Sequence, residues 1–261
     1  MTVRQIVDII ESVAPLSSQE VWDNSGLQVG SYDAQVRRVL LCTDVSEAVL
    51  EEAIRRDCGL VISHHPLLFH GLKTIQKKTW QERCVVMAIK HEINIYSSHT
   101  SMDNYSRGVS GRMAERMGIR DYTILAKSAD EIGLGVIGDL EKPISKQMLL
   151  SLVKDAFRAP VIRYTDGGIV KMVQRVALCG GAGSEFVDEA IRQGAEAYIS
   201  ADFRYHEFQQ VCDSIMVMDI GHFESEQFTK EIFGELIAKN TDEIECFYAE
   251  EDASCVRVYK E

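Results

Sequence analysis

The chain has 261 residues, a formal net charge of −12 and an ordinary globular composition, 46% hydrophobic and 26% charged. An acidic chain lacks the basic surface that non-specific nucleic-acid binding needs, and no apolar run approaches the roughly 20 residues that span a bilayer, so we expect neither property. Seven scattered cysteines without a CxxC motif are typical of reduced thiols in the cytoplasm.

The predicted elements alternate between helix and strand through the first half of the chain. The segment TVRQIVDIIESV has the apolar spacing of an amphipathic helix, which Thr2 caps with Gln5 three residues later. The pattern then predicts a strand at about 36–43, a helix at about 46–57, a strand at 59–63, a helix at about 79–91 and a strand at 93–98. This alternation predicts an α/β fold.

The same strand–helix–strand pattern occurs twice. Residues 36–63 align with residues 173–200 without a gap, at a shift of 137 positions. Ten of the 26 positions from Arg38 to Ser63 are identical, namely Arg38, Val39, Leu41, Cys42, Glu52, Ala53, Ile54, Arg55, Ile62 and Ser63. Shared apolar patterning would not reproduce Arg, Cys, Glu and Ser together, so we interpret the match as an internal duplication. It predicts two similar α/β domains, residues 1–126 and 127–261, related by a pseudo-dyad.

Two adjacent histidines follow the strand at 59–63, in the segment ISHHPLLFHG. Neighbouring side chains of a strand point to opposite faces, so His64 and His65 serve one site only where the strand has ended. Pro66 indicates that end, because it favours an extended residue before it and donates no ladder hydrogen bond. We therefore expect both imidazoles in a loop at the strand tip, where open α/β sheets hold their ligands.

Two further histidines lie at predicted strand tips, each four residues before a carboxylate. NIYSSHTSMDN places His99 before Asp103, and VMDIGHFESEQ places His222 before Glu226. Residues i and i+4 share a helix face, so each pair can point at one ion if the chain turns helical there. The two half-sites would then form one asymmetric site between the domains, because the second copy lacks the His-His pair.

These side chains form the donor set of a metal centre. The candidate ligands are His64, His65, Asp103, His222 and Glu226, with His99 close by. A lone histidine at a strand end is usually a core or surface residue, but this combination favours metal. One tetrahedral ion uses at most four ligands, so the larger set suits two ions bridged by a carboxylate and a water. Imidazole with carboxylate suits Zn, Fe, Mn, Co or Ni and does not choose among them.

Four motifs carry a family resemblance. HHPLLFHGLK, HTSMD, GGAGSEFVDEAIRQGAEAYISADFRYHE and GHFESE resemble the NIF-three-like family, whose members are often called GTP cyclohydrolase I type 2 homologues. The similarity runs from DNSGLQVG at Asp23 to the final predicted strand. It implies two similar α/β domains, a dinuclear metal site and a ring-shaped homohexamer. Longer relatives carry an extra domain between the halves, where this chain has only residues 105–135.

The resemblance also implies an assignment of the ligands. His64 and Asp103 would hold one ion, His65 and His222 would hold the other, and Glu226 would bridge the two ions.

Three other segments have both a functional and a structural interpretation. His206, in a Tyr-His pair that matches the family, is our candidate proton carrier or positioning group, against a histidine that merely opens a helix. Asp44 either orients a metal ligand or caps the next helix with Ser46, and we favour capping. GGAGS at 180–184 resembles a phosphate-binding turn, but without a following Lys-Ser/Thr we favour a tight strand–helix connection.

Two functions remain open from the sequence. The first is a dinuclear metal-dependent hydrolase that acts on GTP or a related nucleotide. The second is a non-catalytic metal-binding scaffold or regulatory interaction protein, because the family takes its name from a protein interaction.

Overall fold

The computed structural model describes residues 1–129, 131–168 and 170–259. The helices are α1 (Val3–Glu11), α2 (Glu47–Arg55), α3 (Trp80–Lys90), α4 (Thr100–Asp103), α5 (Val109–Arg116), α6 (Lys146–Phe157), α7 (Val187–Arg192), α8 (Tyr205–Val211), α9 (His222–Glu226) and α10 (Thr229–Asn240). The strands are β1 (Gly26–Val29), β2 (Arg38–Cys42), β3 (Leu60–Ser63), β4 (Asn94–Ser97), β5 (Tyr122–Ala129), β6 (Ile132–Ser145), β7 (Arg163–Tyr164), β8 (Met172–Ala182), β9 (Ala197–Ala201), β10 (Met216–Asp219) and β11 (Glu245–Tyr248).

The predicted α/β class is confirmed, and so are the six elements expected in the first half. They correspond to α1, β2, α2, β3, α3 and β4. The capping box at the start of α1 is also present, because Thr2 accepts from the Gln5 backbone and the Gln5 side chain accepts from the Thr2 backbone. Strand β1 was not predicted, and it pairs antiparallel with β4.

Unit 1 of the chain comprises Met1–Met102 and Gln227–Ala253. Its sheet has the strand order β1-β4-β3-β2-β11, in which β4, β3, β2 and β11 are mutually parallel. Leu40, Val61 and Ile95 on the sheet pack against Leu50 of α2 and Ala88 of α3 in one buried cluster. The parallel strands therefore bring their carboxyl ends to one edge, where the loops after β2, β3 and β4 begin.

Unit 2 comprises Asp103–Glu226 together with the segment from Ser254. Its sheet has the order β5-β6-β8-β9-β10-β7, with β8, β9 and β10 parallel and the other pairs antiparallel. Val187 and Ala190 of α7 pack on Ala177, Tyr198 and Val217 of these parallel strands. The loops after β9 and β10 consequently start at the same sheet edge.

The parallel part of each sheet follows the same register. Val39 of β2 pairs with Leu60 of β3, and the residues 137 positions later, Val176 of β8 and Ala197 of β9, also pair. This agreement supports the internal duplication, which together with the pseudo-dyad stays a prediction.

The compact units divide the chain differently from the predicted halves. The segment with α10 and β11 belongs to unit 1, where β11 pairs with β2. The boundary at 126/127 describes the sequence repeat and stays a prediction. Across the described ranges, none of the helices has the length and apolar composition that crossing a bilayer requires.

Candidate metal centre

The first two candidate ligands lie in the loop that follows β3, as the sequence predicts. The loop is held to neighbouring strands, because the His64 and His65 backbone N–H groups donate to Cys42 O and Thr43 O. The His64 side chain is fully buried, and its Nδ1 lies 3.1 Å from the Ser98 carbonyl oxygen. Because that oxygen is only an acceptor, Nδ1 carries the proton and Nε2 keeps the lone pair that a metal ion needs.

The second histidine is oriented by a carboxylate. His65 Nδ1 lies 2.8 Å from Asp44 Oδ1, which makes Nε2 the metal-binding nitrogen. Ser46 caps α2, because its hydroxyl accepts from the Val49 N–H. The structure therefore corrects our preference for Asp44 as a cap, since the carboxylate positions His65.

His99 is also oriented by a carboxylate, that of Asp23, which the sequence did not single out. Its Nδ1 lies 2.8 Å from Asp23 Oδ1, and Asp23 Oδ2 accepts from Ser25 Oγ and from the backbone N–H of Thr100. Burial of Asp23 would raise the carboxyl pKa, but the hydrogen bonds from His99 and Thr100 outweigh burial and lower it well below its usual range. Asp23 is thus a fixed carboxylate that orients His99.

The three imidazoles of unit 1 converge. Ring centroids lie 4.8 Å apart for His64 and His65 and 5.4 Å for each of these with His99. One nitrogen from each ring falls in a group whose members all lie within 4.8 Å of one another. The arrangement fits a transition-metal ion, because all three rings have their Nδ1 atoms bound to oxygen acceptors. His99 therefore joins the donor set, although the sequence had placed it only nearby.

Unit 2 has an oriented histidine of its own, which is the fourth described so far. His222 Nδ1 lies 2.6 Å from Asp202 Oδ2, and its Nε2 lies 3.1 Å from Glu226 Oε2, one turn along α9. Burial lowers the pKa of His222, but the charges and hydrogen bonds of Glu226 and Asp202 dominate and raise it to about 11. The two carboxylates therefore favour the protonated ring, and a metal ion binding here would have to displace that proton.

The glycines of GGAGS make room for Glu226. A Cβ on Gly181 would lie 2.4 Å from Glu226 Oε1, and Gly181 has φ of +62°, which favours glycine. The Gly181 N–H donates to Ser225 Oγ, and the Gly181 carbonyl accepts from Ser200 Oγ. The segment connects β8 to the 3-10 turn at Ser184–Phe186, as favoured from the sequence, and it also lets the candidate bridging carboxylate approach β8.

The remaining predicted site residues lie in unit 2. Asp103 ends α4 and is partly buried. Burial, followed by the charge of Asp103, raises the pKa of the Cys179 thiol to about 12, so this cysteine is not a nucleophile at neutral pH. His206 is exposed on α8, with Nδ1 3.1 Å from Gln209 Oε1, and its catalytic role stays a prediction.

The two His-x-x-x-carboxylate motifs are one residue out of step with the strand register. Ser63 pairs with Ser97, and its counterpart Ser200 pairs with Asp219. His99 stands two residues after Ser97, whereas His222 stands three residues after Asp219. The similar spacing therefore places the two rings differently on their respective strand tips.

A protein-family model matches almost the whole chain. The model described as Duf34/NIF3 (NGG1p interacting factor 3) matches residues 1–254. The chain belongs to the DUF34/NIF3 family. Family members called "GTP cyclohydrolase 1 type 2 homolog" include one from Clostridium perfringens, 32% identical over 87% of both chains. Another, from Clostridium acetobutylicum, is 33% identical over 87% of this chain and 85% of its own.

Two solved structures have the same fold as this chain. Staphylococcus aureus protein SA1388 superposes with a TM-score of 0.90 over 99% of both chains at 21% identity. A Bacillus cereus protein related to NIF3 gives a TM-score of 0.89 over the same shares at 20% identity.

Proposed function

We propose that the protein is a metal-dependent hydrolase with a centre for two divalent transition-metal ions, and that its substrate is GTP or a related nucleotide. One observation carries this proposal: each candidate histidine ligand has its Nδ1 bound to an oxygen acceptor. That pattern fixes the ring orientation and leaves Nε2 for an ion, which is the usual arrangement of metal-bound histidine.

The proposed ligand assignment follows the family resemblance. His64 and Asp103 hold one ion, His65 and His222 hold the other, and Glu226 bridges them. This assignment draws its ligands from both halves of the sequence, so we expect full metal affinity only in the whole chain. His99 adds a further imidazole on the side of His64 and His65.

In the proposed reaction, the ions would activate the water, and the side chains would orient the ligands and carry the proton. Two such ions, when bound, lower the pKa of a coordinated water toward ~7 and polarise the bond that the water attacks. The chain supplies orientation, because Asp23, Asp44 and Asp202 each hold one imidazole in a single tautomer. His206, which is exposed on α8, is the proposed proton carrier, because imidazole is the side chain most often used as a general acid or base.

Charge supports an anionic substrate. Two divalent ions against the carboxylates of Asp103 and Glu226 leave about two positive charges, in a chain whose net charge is −12. The relatives from the two Clostridium species are called "GTP cyclohydrolase 1 type 2 homolog", and this reference to GTP supports a nucleotide substrate. We propose a cytoplasmic homohexamer by the same resemblance, and a monomer in a mass measurement at micromolar concentration would refute it.

The alternative is a non-catalytic metal-binding scaffold. The family description names an interaction with another protein, which is the observation that favours it. The scaffold would bind metal with the same ligands but would turn over no nucleotide.

The deciding experiment measures metal content and nucleotide hydrolysis on one preparation. Asp103→Asn should abolish turnover, since it removes a charged ligand with almost no change in volume, while Asp155→Asn, on an exposed part of α6, should change nothing. Activity that survives chelation or Asp103→Asn would refute the hydrolase. Metal loading without turnover on a nucleotide panel would favour the scaffold.

A further inference from the structure

Two large aromatic side chains lie exposed beside the histidines of unit 1. Trp22 is 60% exposed and Phe69 is 40% exposed, and their ring centroids lie 5.9 Å apart at an interplanar angle of 54°. Both rings meet His99 edge to face, at 6.0 Å from Trp22 and 6.2 Å from Phe69. The pair therefore forms an apolar wall next to the imidazoles.

The wall is anchored by polar contacts of the neighbouring residues. The Asn24 amide donates to Leu68 O at 2.6 Å, and the Leu68 N–H donates to Gln28 Oε1 at 3.2 Å. Trp22 also precedes Asp23, whose carboxylate is fully buried among its hydrogen bonds. The two segments that carry the rings are thus tied to each other and to the site, so the exposed rings are preorganised.

A basic segment follows Phe69 directly. Residues 70–79, HGLKTIQKKT, contain Lys73, Lys77 and Lys78 and no acidic residue, in a chain of net charge −12. The buried Glu82 accepts from the Gln76 and Lys78 backbones, which ties this segment to α3, while the three lysines are exposed. Lys73 stands four residues after Phe69, so their Cα atoms are at most about 14 Å apart.

We propose that Trp22 and Phe69 form a stacking platform for a flat heteroaromatic ring, such as the base of a nucleotide, held beside the metal ligands. This inference rests on the proposed function and adds the part of the substrate that the aromatic wall contacts. Aromatic faces attract any base, because every base has a π-face, and stacking onto an aromatic side chain tightens binding by about 5- to 150-fold per base. The exposed lysines of residues 70–79, which follow Phe69 in the chain, would supply the positive charge for a phosphate tail.

A nucleotide also explains why aromatic rings, imidazoles and a lysine-containing segment occur together in this part of unit 1. An aromatic wall alone would suit a second copy of the chain, but the wall is continuous with three metal-oriented imidazoles and with a lysine segment. Metal, aromatic face and cations together match a nucleotide, which has phosphates and a base. A protein surface would require none of the oriented imidazoles.

Fluorescence of a single tryptophan tests the platform. The chain has two tryptophans, so Trp80→Phe leaves Trp22 as the only reporter, and Trp22→Phe leaves Trp80 as the matched control. GTP and guanosine should quench the Trp80→Phe protein, inorganic triphosphate should not, and none of the three should quench the Trp22→Phe protein. Equal quenching of both variants, or quenching by triphosphate alone, would refute stacking.

Affinity provides the second measurement. Phe69→Ala in the metal-loaded full chain should weaken guanosine binding by about 5- to 150-fold. Tyr164→Ala, at an exposed aromatic of β7, should leave it unchanged. A smaller assembly with unchanged nucleotide affinity in Trp22→Ala or Phe69→Ala would show that another copy covers the wall, and would overturn the proposal.

Binding and turnover separate this inference from the hydrolase. Base-dependent quenching without turnover of any nucleotide would uphold the platform and refute the hydrolase. Metal-dependent hydrolysis with no effect of the Phe69 and Trp22 variants on affinity would refute the platform alone.

Discussion

Asp252 connects the C-terminal segment of unit 1 to the tip of β2. Its carboxylate is fully buried, forms an ion pair of 2.8 Å with Lys230, and accepts from the backbone N–H groups of Thr43 at 2.8 Å and Asp44 at 3.2 Å. Lys230 itself is only 17% exposed. Asp252 thus also holds the backbone of the residue that orients His65.

We expect Asp252→Ala to destabilise unit 1 by about 3–5 kcal/mol. Removing one partner of a buried ion pair costs about that much, because the other charge stays buried and uncompensated. Each orphaned backbone N–H would cost ~1–3 kcal/mol if it stayed dry, but water entering the space left by the carboxylate offsets part of this cost. The lost charge of Asp252 therefore dominates the effect.

The measurement is urea unfolding followed by tryptophan fluorescence, because Trp22 and Trp80 both belong to unit 1. Glu251→Ala is the matched control: its side chain is 52% exposed in a 3.7 Å pair with Arg55, and such pairs contribute at most about 1 kcal/mol. Lys230→Met added to Asp252→Ala should recover part of the loss by removing the unpaired charge. A loss below about 1 kcal/mol in Asp252→Ala, or no recovery in the double variant, would refute the reasoning.

Three further predictions concern the metal centre and the stability of α3. The wild type should hold about two divalent ions per chain. Glu226→Ala should lose most of both ions, whereas His65→Ala should lose mainly one ion. Elemental analysis that finds no metal in the wild type after loading would contradict this prediction. Asp23→Asn should weaken metal binding by about 10- to 100-fold through the orientation of His99, measured by competition with a chelator, with the exposed Asp33→Asn as control. Backbone hydrogen bonds, above all from Lys78, lower the pKa of Glu82 against the effect of burial. Wild-type stability should therefore fall as pH drops through that lowered pKa, and Glu82→Gln should remove this part of the pH dependence.

The sequence predicted the six elements of the first half and singled out the candidate ligands because those signals are local. Alternating helix and strand patterns depend on neighbouring residues, and Pro66 marks the end of β3 from one position away. The family membership that the motifs indicated is confirmed as well.

The orienting carboxylates were harder to predict because they depend on contacts between distant segments. Asp23 lies 76 residues before His99, and the two meet through the loops at the ends of β1 and β4, a pairing with no local signal. The sequence position of Asp44 suits both a helix cap and a group that orients a ligand. Only the direction of its side chain, toward His65, distinguishes the two roles. The clearance between Gly181 and Glu226 likewise appears only in three dimensions.

The position of β11 beside β2 gives unit 1 a particular order of events during synthesis. The strand pairs with β2 across its whole length, from Glu245 with Arg38 to Tyr248 with Leu41, yet it is translated after all of Asp103–Glu226. Ribosomes add about 5–20 residues per second, so the first 102 residues wait roughly 8–30 s for their last strand. Until then this edge of β2 is unpaired and the Asp44 backbone N–H lacks its acceptor Asp252, so unit 1 completes its sheet and this buried contact only after residues 245–252 have been made.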